Sequence, residues 1–156
     1  RHLEAISVRF GAQVELEGHW FHAFPTVDVL ARIGAEVFRS MGLGFRAPYL
    51  ASAAQMVREQ EVNLFALRTT PYAEARGIIM QIPGVGSKVA ECVLAFSLDK
   101  LEAFPIDVWV RRALQDWYFE GRRTTDLMLR TWAQERFGPY AAYAQQYLYH
   151  HRRLLD

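Results

Sequence analysis

The chain has 156 residues, of which 51% are hydrophobic and 13% aromatic, and its formal net charge is +1. This length fits one folded domain with a substantial core, and no apolar run is long enough to cross a bilayer. The first residues do not form a signal peptide and lack a starting methionine, so we expect a processed or trimmed chain. The single cysteine, Cys92, excludes an internal disulfide and a four-cysteine iron–sulfur cluster, and it favours a reducing compartment.

The spacing of apolar residues predicts an all-α fold of short helices with short connections. In the first half, helices are predicted at 3–10, 27–33, 35–41, 46–59 and 62–67. Residues 14–24 alternate loosely and are predicted to be extended or irregular. In the second half, helices are predicted at 72–80, 87–98, 106–118, 124–137 and 140–154. The predicted domain covers residues 1–156, with a helix–hairpin–helix unit at about 71–98.

The fold is organised around the segment 81–92, Gln-Ile-Pro-Gly-Val-Gly-Ser-Lys-Val-Ala-Glu-Cys. Pro83 fixes one φ angle, and Gly84 and Gly86 permit a tight turn that opens a helix. We expect Ser87 to cap or support the first helical turn. A helix start of this kind aims backbone N–H groups at one point and can bind phosphate.

Lys88 stands in that first turn, where the helix dipole disfavours a positive charge. Partial shielding would favour the neutral amine, which can form a Schiff base. Asp107 follows nineteen residues later at the predicted start of the next helix, where a carboxylate stays ionised. The two groups could face one cavity as nucleophile and electrostatic partner. The spacing alone equally allows Lys88 as a phosphate-binding point charge and Asp107 as a helix cap.

Two segments carry a family resemblance: 82–92, already given, and 104–109, Phe-Pro-Ile-Asp-Val-Trp. They resemble the helix–hairpin–helix glycine/proline/aspartate superfamily of DNA glycosylases, and more narrowly the 8-oxoguanine DNA glycosylases. Further similar segments follow in the family's order at 22–25, 42–49, 98–100 and 138–145. The resemblance implies an all-α DNA glycosylase fold over nearly the whole chain.

The resemblance implies a bifunctional DNA glycosylase and AP lyase acting on oxidised guanine. Lys88 matches the nucleophile that attacks C1′ of the damaged nucleoside, and Asp107 matches the aspartate that assists it. The damaged base is flipped out of the stack. Gln145 matches the residue that reads the Watson–Crick edge of the base, Tyr149 matches a ring that stacks on it, and Cys92 falls at the pocket wall.

The resemblance also implies the DNA contacts. The expected contact residues are Gly84, Val85, Gly86 and Trp109, with Phe45 and Arg46 probing the opened duplex and the orphaned base. A monovalent cation is expected on the main-chain carbonyls of Met80, Ile82 and Val85, and no other cofactor is required. The expected partner is damaged double-stranded DNA, and no membrane is expected as a partner. The protein is expected to be an intracellular monomer, in the bacterial cytoplasm and nucleoid or in a eukaryotic nucleus.

The sequence departs from the family at two places. Trp109 stands where many members have a histidine, two residues after the aspartate. The N-terminal antiparallel β domain is absent, as is the short Asn-rich segment before the first helix, so the chain is either trimmed or a reduced form. Base discrimination is therefore less defined than the lyase chemistry.

Three alternatives stay open. One is an iron–sulfur endonuclease of the same fold, which the lone cysteine argues against. Another is an alkylation-repair glycosylase, which would not need Lys88. The third is a noncatalytic helix–hairpin–helix DNA-binding module.

Overall fold

The computed structural model describes residues 2–155, and the predicted all-α class is confirmed. The chain forms two compact units. The first runs to Leu64 and includes Ile82–Gly84, and the second contains Phe65–Gln81 and the chain from Val85. Within the described residues, no helix is long and apolar enough to span a bilayer. The assignment of 1–156 to one domain stays a prediction.

The first unit is built from four helices and one hairpin. They are α1 (His2–Phe10), β1 (Gln13–Leu16), β2 (His19–His22), α2 (Val27–Arg32), α3 (Ala35–Phe38) and α4 (Ala47–Arg58). A π turn at Arg39–Leu43 and a 3₁₀ turn at Gly44–Arg46 connect α3 to α4. The unit's core centres on Phe38, which is fully buried, together with Ile6, Leu30, Ala31, Ile33, Ala47 and Ala54.

The segment predicted as extended or irregular is an antiparallel hairpin, with Val14 opposite Phe21. Its two-residue turn, Glu17–Gly18, has φ angles of 51° and 77°. Two positive φ values match the twist of paired strands, and glycine accepts such an angle at no steric cost. The Glu-Gly pair between two alternating runs was the available sequence signal for this hairpin.

The prediction of a helix at 62–67 is wrong, because only a 3₁₀ turn at Ala66–Arg68 is present. The preceding helix, α4, ends at Arg58, and Gln60 follows it at φ 63°. The N–H groups of Glu61 and Val62 donate to the carbonyl of Met56. A left-handed residue at this point ends a helix.

The second unit is entirely helical in its regular structure. It contains α5 (Tyr72–Ile79), α6 (Ser87–Ser97), α7 (Val108–Tyr118), α8 (Asp126–Phe137) and α9 (Ala141–Leu155), with 3₁₀ turns at Ala66–Arg68 and Gly138–Tyr140. Helices α5 and α6 form the predicted helix–hairpin–helix pair. The core of the second unit is formed by the segment before α7 together with α7, α8 and α9. Its buried residues are Phe104, Ile106, Val110, Ala113, Leu114, Leu129, Ala133, Ala141 and Leu148.

Gly84 in the hairpin turn has φ 80°, and a Cβ there would lie 2.5 Å from Cγ of the Tyr49 ring. Gly84→Ala is therefore expected to lower the free energy of unfolding by about 2 kcal/mol, from the left-handed backbone and the overpacked ring. Chemical denaturation measures this. Gly77→Ala is the matched control, because it meets no atom within 4 Å in the middle of α5. It should leave stability unchanged or raise it by about 0.5–1 kcal/mol. Equal effects of the two variants would contradict the prediction.

Candidate active site

A cavity of about 230 Å³ lies in the second unit, against the starts of α6 and α7 and one face of α9. Eight residues line it: Lys88, Cys92, Phe96, Pro105, Asp107, Gln145, Gln146 and Tyr149. Five of them are residues that the sequence predicted for catalysis or the base pocket. The structure thus brings an amine, a carboxylate, an amide and an aromatic ring to one cavity, while the roles of these residues stay predictions.

Lys88 is the second residue of α6, and its side chain is exposed. Gly86 is the residue that precedes the helix, so of the two roles predicted for Ser87, cap or support of the first turn, the cap is wrong. The Ser87 hydroxyl instead accepts hydrogen bonds from Arg76 at 2.9 Å and from Arg130 at 2.8 Å. These two arginines hold Ser87, the residue immediately before Lys88, and so support the first turn of α6 without a helix cap.

Cys92 lies one helical turn after Lys88 and is half-buried. Burial raises the pKa of the Cys92 thiol, and the charge of Lys88 and its hydrogen bond with the thiol oppose this rise. The charges of Asp107 and Glu91 raise the pKa of the thiol further. Because the pKa is raised, Cys92 is a neutral thiol at pH 7.

Asp107 directly precedes α7, and its Oδ1 accepts the N–H of Val110 at 2.8 Å. This is a helix cap, as the simpler interpretation held, but the residue also lines the cavity. Among the described residues Oδ2 accepts no hydrogen bond. Pro105 and Ile106 are buried and anchor the chain just before it. A fixed carboxylate with one engaged oxygen can both start a helix and act on a bound substrate.

Helix α9 supplies three of the lining residues, Gln145, Gln146 and Tyr149. Gln145 is only 4% exposed, and its Oε1 accepts a hydrogen bond from Nε2 of Gln146 at 2.6 Å. Tyr149 is half-buried, and its hydroxyl accepts from Arg153 at 3.1 Å, while the same guanidinium lies 5.9 Å from the centre of the ring. One polar side chain and one aromatic ring, a helical turn apart, can hydrogen-bond and stack on a planar base.

Glu91 is a central residue that sequence reasoning missed. It is fully buried on α6, and its carboxylate accepts from the Tyr72 hydroxyl at 2.8 and 2.9 Å and from Nε of Arg76 at 2.7 Å. Nε of Arg130 lies 3.7 Å away. A buried charge without partners is costly, and here three side chains contact the carboxylate.

The Glu91 carboxylate also accepts the backbone N–H of Phe104 at 2.9 Å. Phe104 lies three residues before Asp107, and Arg76 and Arg130 also donate to Ser87, the residue before Lys88. One buried carboxylate therefore ties the segment that leads to Asp107 to the helix that carries Lys88. The only sequence signal was an acidic residue on the apolar face of α6.

The pKa of the Tyr72 hydroxyl is raised to about 12, first by burial and then by the charge and hydrogen bond of Glu91, against the opposing effects of Gln134 and Arg130. In the unfolded chain the hydroxyl loses its proton near pH 10. The stability from this group is therefore complete below about pH 10 and is lost as the pH rises towards 12. We expect the wild type to lose stability over this range faster than Tyr72→Phe, measured by urea denaturation. Parallel curves would contradict the prediction.

The remaining predicted DNA contacts lie elsewhere. Phe45 is 71% exposed in the first unit, with the Arg46 guanidinium 4.7 Å from its ring centre. Trp109 is half-buried in the first turn of α7, and the Arg112 guanidinium lies 5.4 Å from its ring centre. Neither pair lines the cavity.

The predicted phosphate site at Gly84, Val85 and Gly86 stays a prediction. So does the cation expected on the carbonyls of Met80, Ile82 and Val85. Within residues 2–155, no group of three or more histidine, cysteine or acidic side chains is placed to hold a metal ion. That finding concerns side-chain ligands and does not test a site made of main-chain carbonyls.

Two solved structures are similar to this chain at the level of the fold. The 8-oxoguanine glycosylase/lyase of Clostridium acetobutylicum, in complex with double-stranded DNA containing cytosine opposite 8-oxoguanine, has a TM-score of 0.92 and 33% identity. It covers 97% of this chain, and the chain covers 52% of it. The 3-methyladenine DNA glycosylase of Archaeoglobus fulgidus has a TM-score of 0.79 and 35% identity over 97% of this chain and 50% of that protein.

A curated relative, a probable N-glycosylase/DNA lyase of Methanothermobacter thermautotrophicus, is 32% identical over all of this chain and 56% of its own length. The chain therefore spans about half the length of the relatives it matches. A family model described as HhH-GPD superfamily base excision DNA repair protein matches residues 5–139, which is most of the chain. The predicted family is confirmed, and this chain belongs to the HhH-GPD superfamily of base excision DNA repair proteins.

Proposed function

We propose that the protein is a bifunctional DNA glycosylase and AP lyase that removes oxidised guanine from duplex DNA. The observation that carries this proposal is the cavity shared by Lys88 and Asp107, two residues at the starts of successive helices. A glycosylase that forms a Schiff base needs an amine beside a carboxylate, in a cavity that can hold a flipped base. The relatives named as glycosylase/lyases support the same activity.

The amine of Lys88 attacks C1′ of the damaged nucleoside, and the bond from C1′ to the base breaks as the base leaves with the electron pair. Asp107 stabilises the positive charge that develops on the sugar. Loss of a proton and opening of the sugar give an imine between Lys88 and C1′. Removal of a proton from C2′ then expels the 3′ phosphate by β-elimination, and water releases the enzyme.

The lysine content of the chain supports this assignment. The sequence contains two lysines, Lys88 and Lys100, among eighteen basic Lys and Arg residues. Arginine stays protonated in proteins and cannot serve as an amine nucleophile. Lys100 donates to the carbonyl of Arg68 at 2.7 Å and does not line the cavity. Among side-chain amines, Lys88 is therefore the one with access to the Asp107 cavity.

Borohydride trapping tests the proposal directly. The protein is incubated with duplex DNA containing 8-oxoguanine opposite each of the four bases, and in parallel with abasic duplex, and the adduct is mapped by mass spectrometry. We expect a covalent adduct on Lys88 with both kinds of DNA. Failure to form an adduct on abasic DNA would overturn the proposed lyase, and an adduct on abasic DNA alone would overturn the proposed base.

A second candidate is excision of an alkylated purine, which the similarity to the Archaeoglobus 3-methyladenine DNA glycosylase favours. The same assay on DNA containing 3-methyladenine separates the two. Release of that base without release of 8-oxoguanine would favour the second candidate. We propose damaged double-stranded DNA as the partner in either case, bound by a monomer, and salt-independent binding would argue against DNA.

A further inference from the structure

The inference concerns helix α8, which does not line the cavity, and it rests on the proposed function. Arg130 and Gln134 lie four residues apart on α8, so their side chains share one face of the helix. The Arg130 side chain is only 11% exposed, and Gln134 is half-buried. Polar side chains that leave the solvent need hydrogen-bond partners. The partners of these two residues lie in the two segments that carry Lys88 and Asp107.

Arg130 contacts the first turn of α6. Its Nη1 donates to the Ser87 hydroxyl at 2.8 Å, and its Nε lies 3.7 Å from Oε1 of Glu91. Ser87 and Glu91 are four residues apart, so one guanidinium spans the first turn of the helix. Lys88 directly follows Ser87 and lines the cavity. Arg130 therefore holds, from outside the cavity, the turn that carries the amine.

Gln134 contacts the segment between α6 and α7 that leads to Asp107. Its Nε2 donates to the main-chain carbonyl of Glu102 at 2.8 Å and to the Tyr72 hydroxyl at 3.0 Å. A main-chain carbonyl only accepts hydrogen bonds, so the NH₂ group of the amide must face it. Glu102 lies five residues before Asp107, so this bond fixes the course of the segment on its way to α7.

These contacts bear on the rate of imine formation. The amine must reach C1′ while the carboxylate lies close enough to stabilise the charge on the sugar. A misplacement of about 1 Å in a reacting group can lower a rate about a hundredfold. We propose that Arg130 and Gln134 are positioning residues, which set the separation between the Lys88 amine and the Asp107 carboxylate from a helix outside the cavity.

Two methionine substitutions remove these contacts and keep an unbranched side chain. In Arg130→Met the Glu91 carboxylate retains Tyr72 and Arg76 as partners, so no buried charge is left alone. Gln134→Met removes the amide and keeps most of the length of the side chain. Neither substitution touches a residue that lines the cavity.

Borohydride trapping on abasic duplex DNA, over a range of protein concentrations under single-turnover conditions, gives a saturating rate and a half-saturating concentration. We expect each substitution to lower the saturating rate by about tenfold and to leave the half-saturating concentration unchanged. Arg136→Met, at an exposed position of α8, is the matched control and should keep the wild-type saturating rate. Urea denaturation in the same buffer checks that each variant is folded at the assay temperature, so that lost stability alone does not lower the rate.

Double variants separate positioning from a general weakening of the fold, because residues that act independently have additive effects on the logarithm of the rate. If Gln134 acts through Asp107, Gln134→Met should have little further effect in an Asp107→Asn background. Arg130→Met should likewise have little further effect in Ser87→Ala, whereas Ser87→Thr keeps the hydroxyl and should retain the wild-type rate. Ser87→Ala removes no charge, so it tests the Arg130 contact even if Arg130→Met does not fold.

An unchanged saturating rate in Gln134→Met, or in Arg130→Met and Ser87→Ala, would overturn the inference, as would fully additive double variants. A change confined to the half-saturating concentration would also overturn it, because it would assign these residues to DNA binding. If the wild type and every variant trap abasic DNA at the same rate, only the inference is wrong. If the wild type does not trap abasic DNA, both proposals are wrong.

Discussion

Replacing Lys88 with glutamine is expected to abolish the borohydride-trapped adduct and to lower cleavage of abasic DNA by about a thousandfold or more. A glutamine amide keeps most of the length and polarity of the side chain but cannot form an imine. Removing a covalent nucleophile usually leaves only the catalysis that binding and electrostatics supply, which explains the expected magnitude. Gel-resolved strand cleavage under single-turnover conditions measures the loss. Duplex binding should persist, because phosphate contacts dominate affinity for DNA.

Lys100→Gln is the matched control for this variant, because it removes the chain's other lysine. Lys100 sits one residue from Asp99, which forms an exposed ion pair with Arg68. We expect full trapping in Lys100→Gln and none in Lys88→Gln. An adduct that survives in Lys88→Gln and disappears in Lys100→Gln would make Lys100, which does not line the cavity, the nucleophile and would contradict the proposed site. Loss of the adduct in both variants, with folding intact, would also contradict it.

Replacing Glu91 with alanine is expected to lower the free energy of unfolding by about 3–5 kcal/mol, which is a large part of the stability of a small protein. The substitution removes the carboxylate that Arg76 and Tyr72 contact, and it leaves the Phe104 N–H without its acceptor. It also leaves a cavity in a fully buried position. Urea denaturation followed by circular dichroism measures the change. The same variant should reduce trapping, since Glu91 links the segments that carry Lys88 and Asp107.

Asp99→Asn is the matched control for Glu91→Ala, because Asp99 is a carboxylate paired with an arginine at the surface. Its side chain is 75% exposed, and asparagine tolerates the φ angle of 57° that Asp99 adopts. A surface ion pair contributes about 0–1 kcal/mol, so the expected change is small. If Asp99→Asn and Glu91→Ala destabilise the protein equally, burial is not the origin of the Glu91 effect.

Some features of the site follow from local sequence, and others depend on packing between helices. The Pro-Gly-x-Gly turn and the residues just after it were visible in the sequence, because φ preferences and helix starts depend on a few neighbouring residues. The cap at Asp107 was visible for the same reason. The identity of Glu91 as the connecting residue was not, because its partners lie on α5, on α8 and in the approach to α7. No local pattern indicates which acidic residue becomes buried among arginines.

Two predictions failed, one for a local reason and one for a tertiary reason. In place of the helix expected at 62–67, the left-handed Gln60 follows the end of α4, and a 3₁₀ turn forms at Ala66–Arg68. Ser87 has the right side chain for a helix cap and the right place in sequence. Two arginines from α5 and α8 engage its hydroxyl, and Gly86 takes the position before the helix instead. Tertiary contacts overrode a sound local preference.

The sequence by itself determined the all-α class, the helix–hairpin–helix turn and the placement of Lys88 and Asp107 at helix starts, because each depends on backbone preferences over a few residues. Only the tertiary structure decided that Lys88, Asp107, Gln145 and Tyr149 line one cavity, since α6, α7 and α9 are distant in sequence. It also decided the burial of Glu91. These features depend on packing between helices, which no short stretch of sequence encodes.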